Sequence, residues 1–227
     1  PTSLSAKKPT FTRPNQNPHM RQLLFLLLLA ASCLRCQPDQ KTADTPSPEA
    51  LPALTPNGVN AVVEIPAGTN HKIEYDKSSG KFLVDQRNGK ERVIDFLPYP
   101  GNYGFIPSTY MAPERGGDGD ALDVLVIGEA QPTGQQLEVL PIGSLKLKDE
   151  GEADTKIIAI PADRKLQVID PKDFVDFSIR YDGAKHIIEN WFLYYDGLGN
   201  ATLEGWEDER AAMETIKRWQ MASSSEE

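Results

Sequence analysis

The sequence predicts an α+β chain that is mainly β: a curled antiparallel sheet or small barrel, with helices closing the C-terminal end. Three observations carry this. Between Val59 and Ile160, segments that alternate or are rich in β-branched residues follow one another without a helical period between them. From Ala184 onward the apolar spacing changes to three and four, the period of an amphipathic helix. The hydrophobic content of 39% over 227 residues is ordinary for one sizeable core.

The elements follow in order. Val59 to Pro66, Lys72 to Asp76 and Lys81 to Gln86 read as short strands, the latter two joined by the turn-rich Lys77-Ser78-Ser79-Gly80, so a meander is expected. Ala121 to Ile127, Gln136 to Lys148 and Lys156 to Ile160 read as further strands, with Leu145 and Leu147 interleaved by Lys146 and Lys148. Strands succeeding strands make a curled sheet or barrel the economical architecture. A first helix places Ala184, Ile187, Ile188, Trp191 and Tyr195 on one face. A second opens with Glu207, Asp208 and Glu209, runs through Ala212, Ile216 and Trp219, and ends with Lys217 and Arg218. Acids first and bases last suit the helix macrodipole.

The N-terminal region is of a different kind. Met20-Arg21-Gln22 precedes the apolar run Leu23 to Ala31, which is shorter than the roughly 20 residues needed to span a bilayer and reads instead as a secretory signal. Ala30-Ala31-Ser32-Cys33 resembles a bacterial lipobox, although Ala30 stands where leucine is usual. The expectation is export, with the chain anchored to a membrane through a lipidated Cys33; a plain secretory signal and an uncleaved anchor are the alternatives, both still directing export. The domain boundaries expected are residues 1–19 as translation upstream of Met20, 20–36 as signal and lipobox, 37–57 as a Pro/Thr/Ser/Ala-rich tether, 58–221 as the folded body and 222–227 as a tail. Both cysteines, Cys33 and Cys36, precede the tether, so the body has no disulfide or thiol chemistry.

Charge narrows the partners. The chain carries a net charge of -9; Lys7, Lys8, Arg13 and Arg21 all precede Cys33, where no acid occurs, so the remainder is more acidic still. Such a body repels nucleic acid, which is not an expected partner.

The most informative stretch is Asp118-Gly119-Asp120-Ala121-Leu122-Asp123-Val124-Leu125-Val126. It sets Asp118, Asp120 and Asp123 at the mouth of an apolar strand, with Gly116, Gly117 and Gly119 letting the backbone turn sharply. Two carboxylates about 4 Å apart repel by roughly 4 kcal/mol at an effective dielectric near 20, so gathering three asks for a cation. Their oxygens suit Mg²⁺, Mn²⁺ or Ca²⁺. A solvated acidic turn would look the same in isolation. Asp149 and Asp154 flank a second acidic turn that leads to Lys156, again compatible with plain surface structure by itself. Lys72, Arg92 and Tyr103, with Tyr99 nearby, add cations and phenols of the kind phosphoryl transfer needs around its anion. His71 and His186 have no histidine partner at ligand spacing and receive no role.

Taken together, Glu64-Ile65-Pro66-Ala67, Lys72-Ile73-Glu74, Tyr99-Pro100-Gly101-Asn102-Tyr103-Gly104, the Asp118 to Leu125 segment and Asp149 to Lys156 resemble the soluble, Mg²⁺-dependent inorganic pyrophosphatases of family I, over about residues 58 to 221. The resemblance implies a small OB-like β-barrel flanked by two or three helices. It implies hydrolysis of pyrophosphate to two phosphates by metal-activated water without a covalent intermediate, with several Mg²⁺ ions per site and Mn²⁺ as the alternative. Carried over by motif, Asp118, Asp120, Asp123, Asp149 and Asp154 are implied metal ligands, Asp120 doubling as the base. Lys72, Arg92, Tyr103, Lys156 and Tyr195 are implied catalytic phosphate contacts, and Glu64, Glu74 and Tyr99 supporting residues. Arg87 competes for the place given to Arg92. The family pattern has lysine after the late tyrosine, whereas Tyr195 is followed by Asp196; the expectation is that Asp196 weakens substrate binding. The resemblance leaves room for a homo-oligomer. Two other readings fit parts of the sequence: an exported Ca²⁺- or phosphate-binding module of weak or no turnover, and a barrel binding oligonucleotide or oligosaccharide, against which the acidic body argues.

Overall fold

The computed structural model describes residues 47–149 and 151–222. The segments read as upstream translation (1–19) and as signal and lipobox (20–36), together with residues 37–46 and 223–227, lie outside the described residues.

The body is a closed sheet. Strands β1 (Val59–Ile65), β2 (Ile73–Asp76), β3 (Lys81–Val84), β4 (Gln86–Arg87), β5 (Lys90–Glu91), β6 (Asn102–Phe105), β7 (Asp123–Val126), β8 (Gln136–Asp149) and β9 (Glu152–Pro161) precede helices α1 (Phe174–Arg180) and α2 (Asp182–Tyr194); β10 (Ala201–Glu207) and α3 (Glu209–Trp219) complete the chain. The main sheet runs β1-β6-β7-β9-β8-β10, and β1 pairs also with the first half of β8, which closes a ring. Four of the ring pairings are antiparallel, while β7 and β9 run parallel, with Val124 opposite Ile157. The parallel pair departs from the all-antiparallel expectation for a topological reason: a ring of five strands cannot alternate direction all the way round. Register shifts in β8 between Pro141 and Gly143, so its first half serves the ring and its second half carries β10. At β6 the backbones approach so closely that a Cβ on Gly104 would run into the Val62 carbonyl, and only glycine fits.

Apolar residues on alternate sides of the strands feed two cores. Val124, Val126, Ile157 and Ala159 join Val59, Ala61 and Val63 in one, capped by Ala212, Ile216 and Trp219 of α3. Leu125, Ile127, Ile158 and Ile160 face the other, covered by Phe177 of α1 and Ile188, Trp191 and Phe192 of α2. Burial on both faces explains the unbroken apolar runs in β7 and β9. An 11-residue helix such as α3 is marginal alone; burying a side chain the size of Ile216 contributes about 1.5–3 kcal/mol and fixes it.

Three expectations change in detail. The tether was expected to run to Asn57, but Ala53 is fully buried in the first core, Leu54 bridges to Val59, and Ser108 Oγ donates to the Leu51 carbonyl, so the folded body begins before Asn57. On α2 it is Phe192 rather than the exposed Ile187 that packs inward. Glu207 ends β10; Asp208 caps α3, its carboxylate accepting from the Ala211 N–H at 2.8 Å.

Candidate active site

The Asp118 loop is shaped by its glycines. After the turn Pro113–Arg115 the chain folds back on itself: the Gly119 N–H donates to the Met111 carbonyl at 2.8 Å and Met111 N–H to the Asp120 carbonyl at 2.7 Å. Gly119 does this at φ +88°, where a side chain is strained. Asp118 accepts from the Asp120 N–H at 2.9 Å. Leu122 then plugs the core, its N–H held by Thr109 Oγ1, and Asp123 emerges half-buried as the first residue of β7. Burial, added to the charges of Asp123 and Asp120, pushes the Asp118 carboxyl upward against the opposing Asp120 N–H bond. A crowded carboxylate group of this kind favours a cation.

The parallel pairing of β7 with β9 brings in the second acidic turn. Asp154 and Lys156 are two apart on β9 and share a face. Lys156 reaches Asp123 Oδ2 at 2.5 Å and Asp154 Oδ1 at 2.6 Å, with the Tyr103 and Phe192 rings 5.6 and 5.9 Å from its ammonium. Burial works to lower the pKa of Lys156, but Asp123 and Asp154 outweigh it and the ammonium stays charged. Asp149, at the end of β8, lines the same cleft of about 610 Å³ as Asp118, Asp120, Asp123 and Asp154. The two acidic segments therefore line one cleft, as the resemblance implies.

The far wall of the cleft is cationic and phenolic. Lys72 pairs with Glu74 Oε1 at 2.5 Å. Glu64 accepts from the Tyr75 N–H at 2.7 Å; burial, with Asp123 and Glu74 adding repulsion, raises its carboxyl to about 8. Tyr103 comes from β6, and Tyr195 follows α2, stacked on Trp191 at 4.7 Å, which in turn meets Tyr99 at 4.4 Å. Burial raises all three phenols, Tyr195 to about 12, so each remains a proton donor near neutral pH.

Arg92 also lines the cleft, with Nη2 on Asp196 Oδ2 at 2.8 Å and Nη1 3.4 Å from Asp85. Asp196, which stands where the family pattern has lysine, is neutralised by more than Arg92: both its oxygens also accept from Arg87, at 2.9 and 3.0 Å. The Arg87 hydrogen bond, opposed by partial burial and reinforced by Arg92, holds its carboxyl below the usual range. The sequence offered Arg87 only as a rival to Arg92; that both share one carboxylate is a long-range contact no local pattern could reveal. Every other residue singled out from sequence for the site lies in this one cleft.

Among the described residues no group of three or more His, Cys, Asp or Glu side chains stands ready-made around a single ion, and Asp123 and Asp154 are drawn to Lys156. The donor chemistry nonetheless fits: Asp118, Asp120, Asp123, Asp149 and Asp154 offer only carboxylate oxygens, in one cleft, to a hard divalent cation.

Comparison with known proteins shows the family. The family model for inorganic pyrophosphatase matches residues 61–223. The inorganic pyrophosphatase of Sulfolobus acidocaldarius is 39% identical over 174 residues, 74% of this chain and 90% of that protein. The crystal structure of inorganic pyrophosphatase from Thermus thermophilus aligns with a TM-score of 0.65 at 32% identity, covering 77% of this chain and 97% of that one. A Trypanosoma cruzi vacuolar soluble pyrophosphatase, solved in complex with PPi, aligns with a TM-score of 0.65 at 26% identity, covering 74% of this chain and 69% of that one. The chain belongs to the soluble family I inorganic pyrophosphatases, enzymes that hydrolyse pyrophosphate to two phosphates.

Proposed function

We propose that this chain hydrolyses pyrophosphate by direct attack of water in the cleft between the Asp118 loop and the β8–β9 turn, with Mg²⁺ as the working cation. The observation that carries this reading is the convergence of five aspartates with Lys72, Arg92 and Lys156 on one cavity. Asp118, Asp120, Asp123, Asp149 and Asp154 would hold the ions, with Mn²⁺ as the alternative; when bound, they supply Lewis-acid activation of water and neutralise phosphoryl charge. Asp120, exposed at the cleft mouth, takes the proton of the attacking water. Lys72 and Arg92 hold the substrate anion, and Lys156 meets the charge that grows on the departing phosphate. The protonated phenols of Tyr103 and Tyr195 donate to phosphate oxygens without adding negative charge, while Tyr99 orients its neighbours through the ring stack. No side chain need bond covalently to phosphorus.

Asp120→Asn tests the base. Removing a general base typically costs 10²- to 10⁴-fold in rate, so kcat should fall by about that much while the melting temperature stays close to that of the native protein. Near-native turnover would remove Asp120 from the role.

Membrane anchoring outside the cytoplasm is a second proposal, resting on the Ala30 to Cys33 sequence alone. Cys33→Ser should move the enzyme from the membrane to the soluble fraction; unchanged partition would refute it.

A further inference from the structure

We propose that Arg87 is a substrate-contacting residue of this cleft, and that Asp196 is the positioning residue that holds it beside Arg92. The proposal rests on the reading of this end of the cleft as the phosphate-binding end.

Arg87 closes β4 of a minimal hairpin in which Gln86 pairs with Glu91 and Arg87 with Lys90. The two turn residues, Asn88 and Gly89, both have positive φ, at 56° and 72°, so the hairpin is a tight preformed bracket. From it the Arg87 side chain crosses to the segment after α2 and grips Asp196 with both terminal nitrogens. Asp196 Oδ2 accepts from Arg92 as well. Asp196 thus faces two guanidinium groups, and Asp85, 3.4 Å from Arg92 Nη1, brings the cluster to formal charge balance.

The donors, by contrast, are in excess. A guanidinium has five N–H groups, and the fork to Asp196 uses two of those on Arg87. Arg92 Nε is buried and, among the described residues, has no hydrogen-bond partner. A cluster made only to fasten the hairpin would spend its donors. Surplus N–H groups on two guanidiniums that line a cleft shared with Lys72, Lys156 and Tyr195 fit a polyanion richer in oxygens than a carboxylate. The fork fixes the Arg87 plane, so the remaining edge is presented ready for phosphate oxygens. Position 196 accordingly supplies no cation itself; it recruits one from a hairpin more than a hundred residues away in sequence.

The test is steady-state hydrolysis of magnesium pyrophosphate by the full chain carrying Arg87→Ala, Arg87→Lys, Asp196→Ala, Arg92→Ala and the double change Arg87→Ala with Asp196→Ala. Losing one charge-assisted phosphate contact should raise KM roughly tenfold in Arg87→Ala while kcat stays within about threefold. Arg87→Lys should recover only part of this, because lysine keeps the charge without the fork. Asp196→Ala should raise KM in the native background, where Arg87 loses its anchor. It should lower KM in the Arg87→Ala background, where the carboxylate holds only Arg92 and its removal leaves that guanidinium, still paired with Asp85, freer for the anionic substrate. That reversal of sign is not expected of a structural staple. The proposal is overturned if Arg87→Ala leaves KM unchanged while Arg92→Ala raises it, if Asp196→Ala acts with the same sign in both backgrounds, or if Arg87→Ala lowers only the melting temperature. If neither Arg87→Ala nor Arg92→Ala moves KM, the reading of this end as phosphate-binding fails along with the proposal.

Discussion

Replacing Lys156 with methionine removes the buried cation shared by Asp123 and Asp154. At 2.5 and 2.6 Å, each attraction is on the order of 6 kcal/mol at an effective dielectric near 20, before the cost of desolvating three charges. That cost cancels most of the gross gain. What the substitution exposes is the penalty for stranding the partners, about 3–5 kcal/mol for buried pairs. The Asp123 and Asp154 side chains keep 27% and 16% of their exposure, which places the expected loss near the lower figure. Methionine preserves the chain's length and its contact with the Tyr103 and Phe192 rings, so packing loss is small. Urea unfolding in EDTA should therefore show a loss of about 3 kcal/mol, within the 5–15 kcal/mol of a typical domain. Added Mg²⁺ should restore more stability to the variant than to the native protein, since two freed carboxylates gain a cation; each tenfold gain in affinity adds about 1.4 kcal/mol at saturating ion. A loss under about 1 kcal/mol, or equal increments with Mg²⁺, would refute the reasoning.

Glu64, with its carboxyl raised from 4.5 to about 8, keeps in the folded state a proton that the unfolded chain releases. The unfolded state thus binds fewer protons between these values, so metal-free stability should fall as pH rises from about 4.5 to about 8 and then level off. Glu64→Gln, which still accepts from the Tyr75 N–H, should flatten that slope and be the more stable protein at pH 8, by at most about 5 kcal/mol; urea midpoints across pH decide it, and an unchanged slope would count against the buried carboxyl. Gly104→Ala forces a methyl group into the Val62 carbonyl and should cost about 3 kcal/mol or more, or prevent folding, which thermal unfolding or loss of soluble expression would register.

The ring strands β1, β7, β8 and β9 were legible because each carries a β-branched or alternating run, and the Asp118 loop because its glycines and aspartates sit at fixed short spacing. Strand β6 was not, since Asn102-Tyr103-Gly104-Phe105 has no alternation: it is buried on both sides, and its tyrosine points to the cleft by register with β7 rather than by pattern. Strand β10 hides behind the register shift between Leu203 and Gly205, which breaks its period. Helix α1 is only seven residues long, too short to display a period, and its start is marked by the Asp173 cap alone. In the site, residues that act as types at a spacing were found; the pairing of Asp196 with Arg87 and Arg92 was not, because only the fold brings those residues together.

Phosphate release from pyrophosphate against free Mg²⁺, measured on the full chain and on Asp118→Asn and Asp154→Asn, tests most directly whether the loop and the β8–β9 turn form one cation site. The account predicts no hydrolysis in EDTA, saturation with Mg²⁺, and a requirement for roughly tenfold more Mg²⁺ in each variant. Hydrolysis that persists in EDTA, or an Asp154→Asn curve superimposed on the native one, would contradict it.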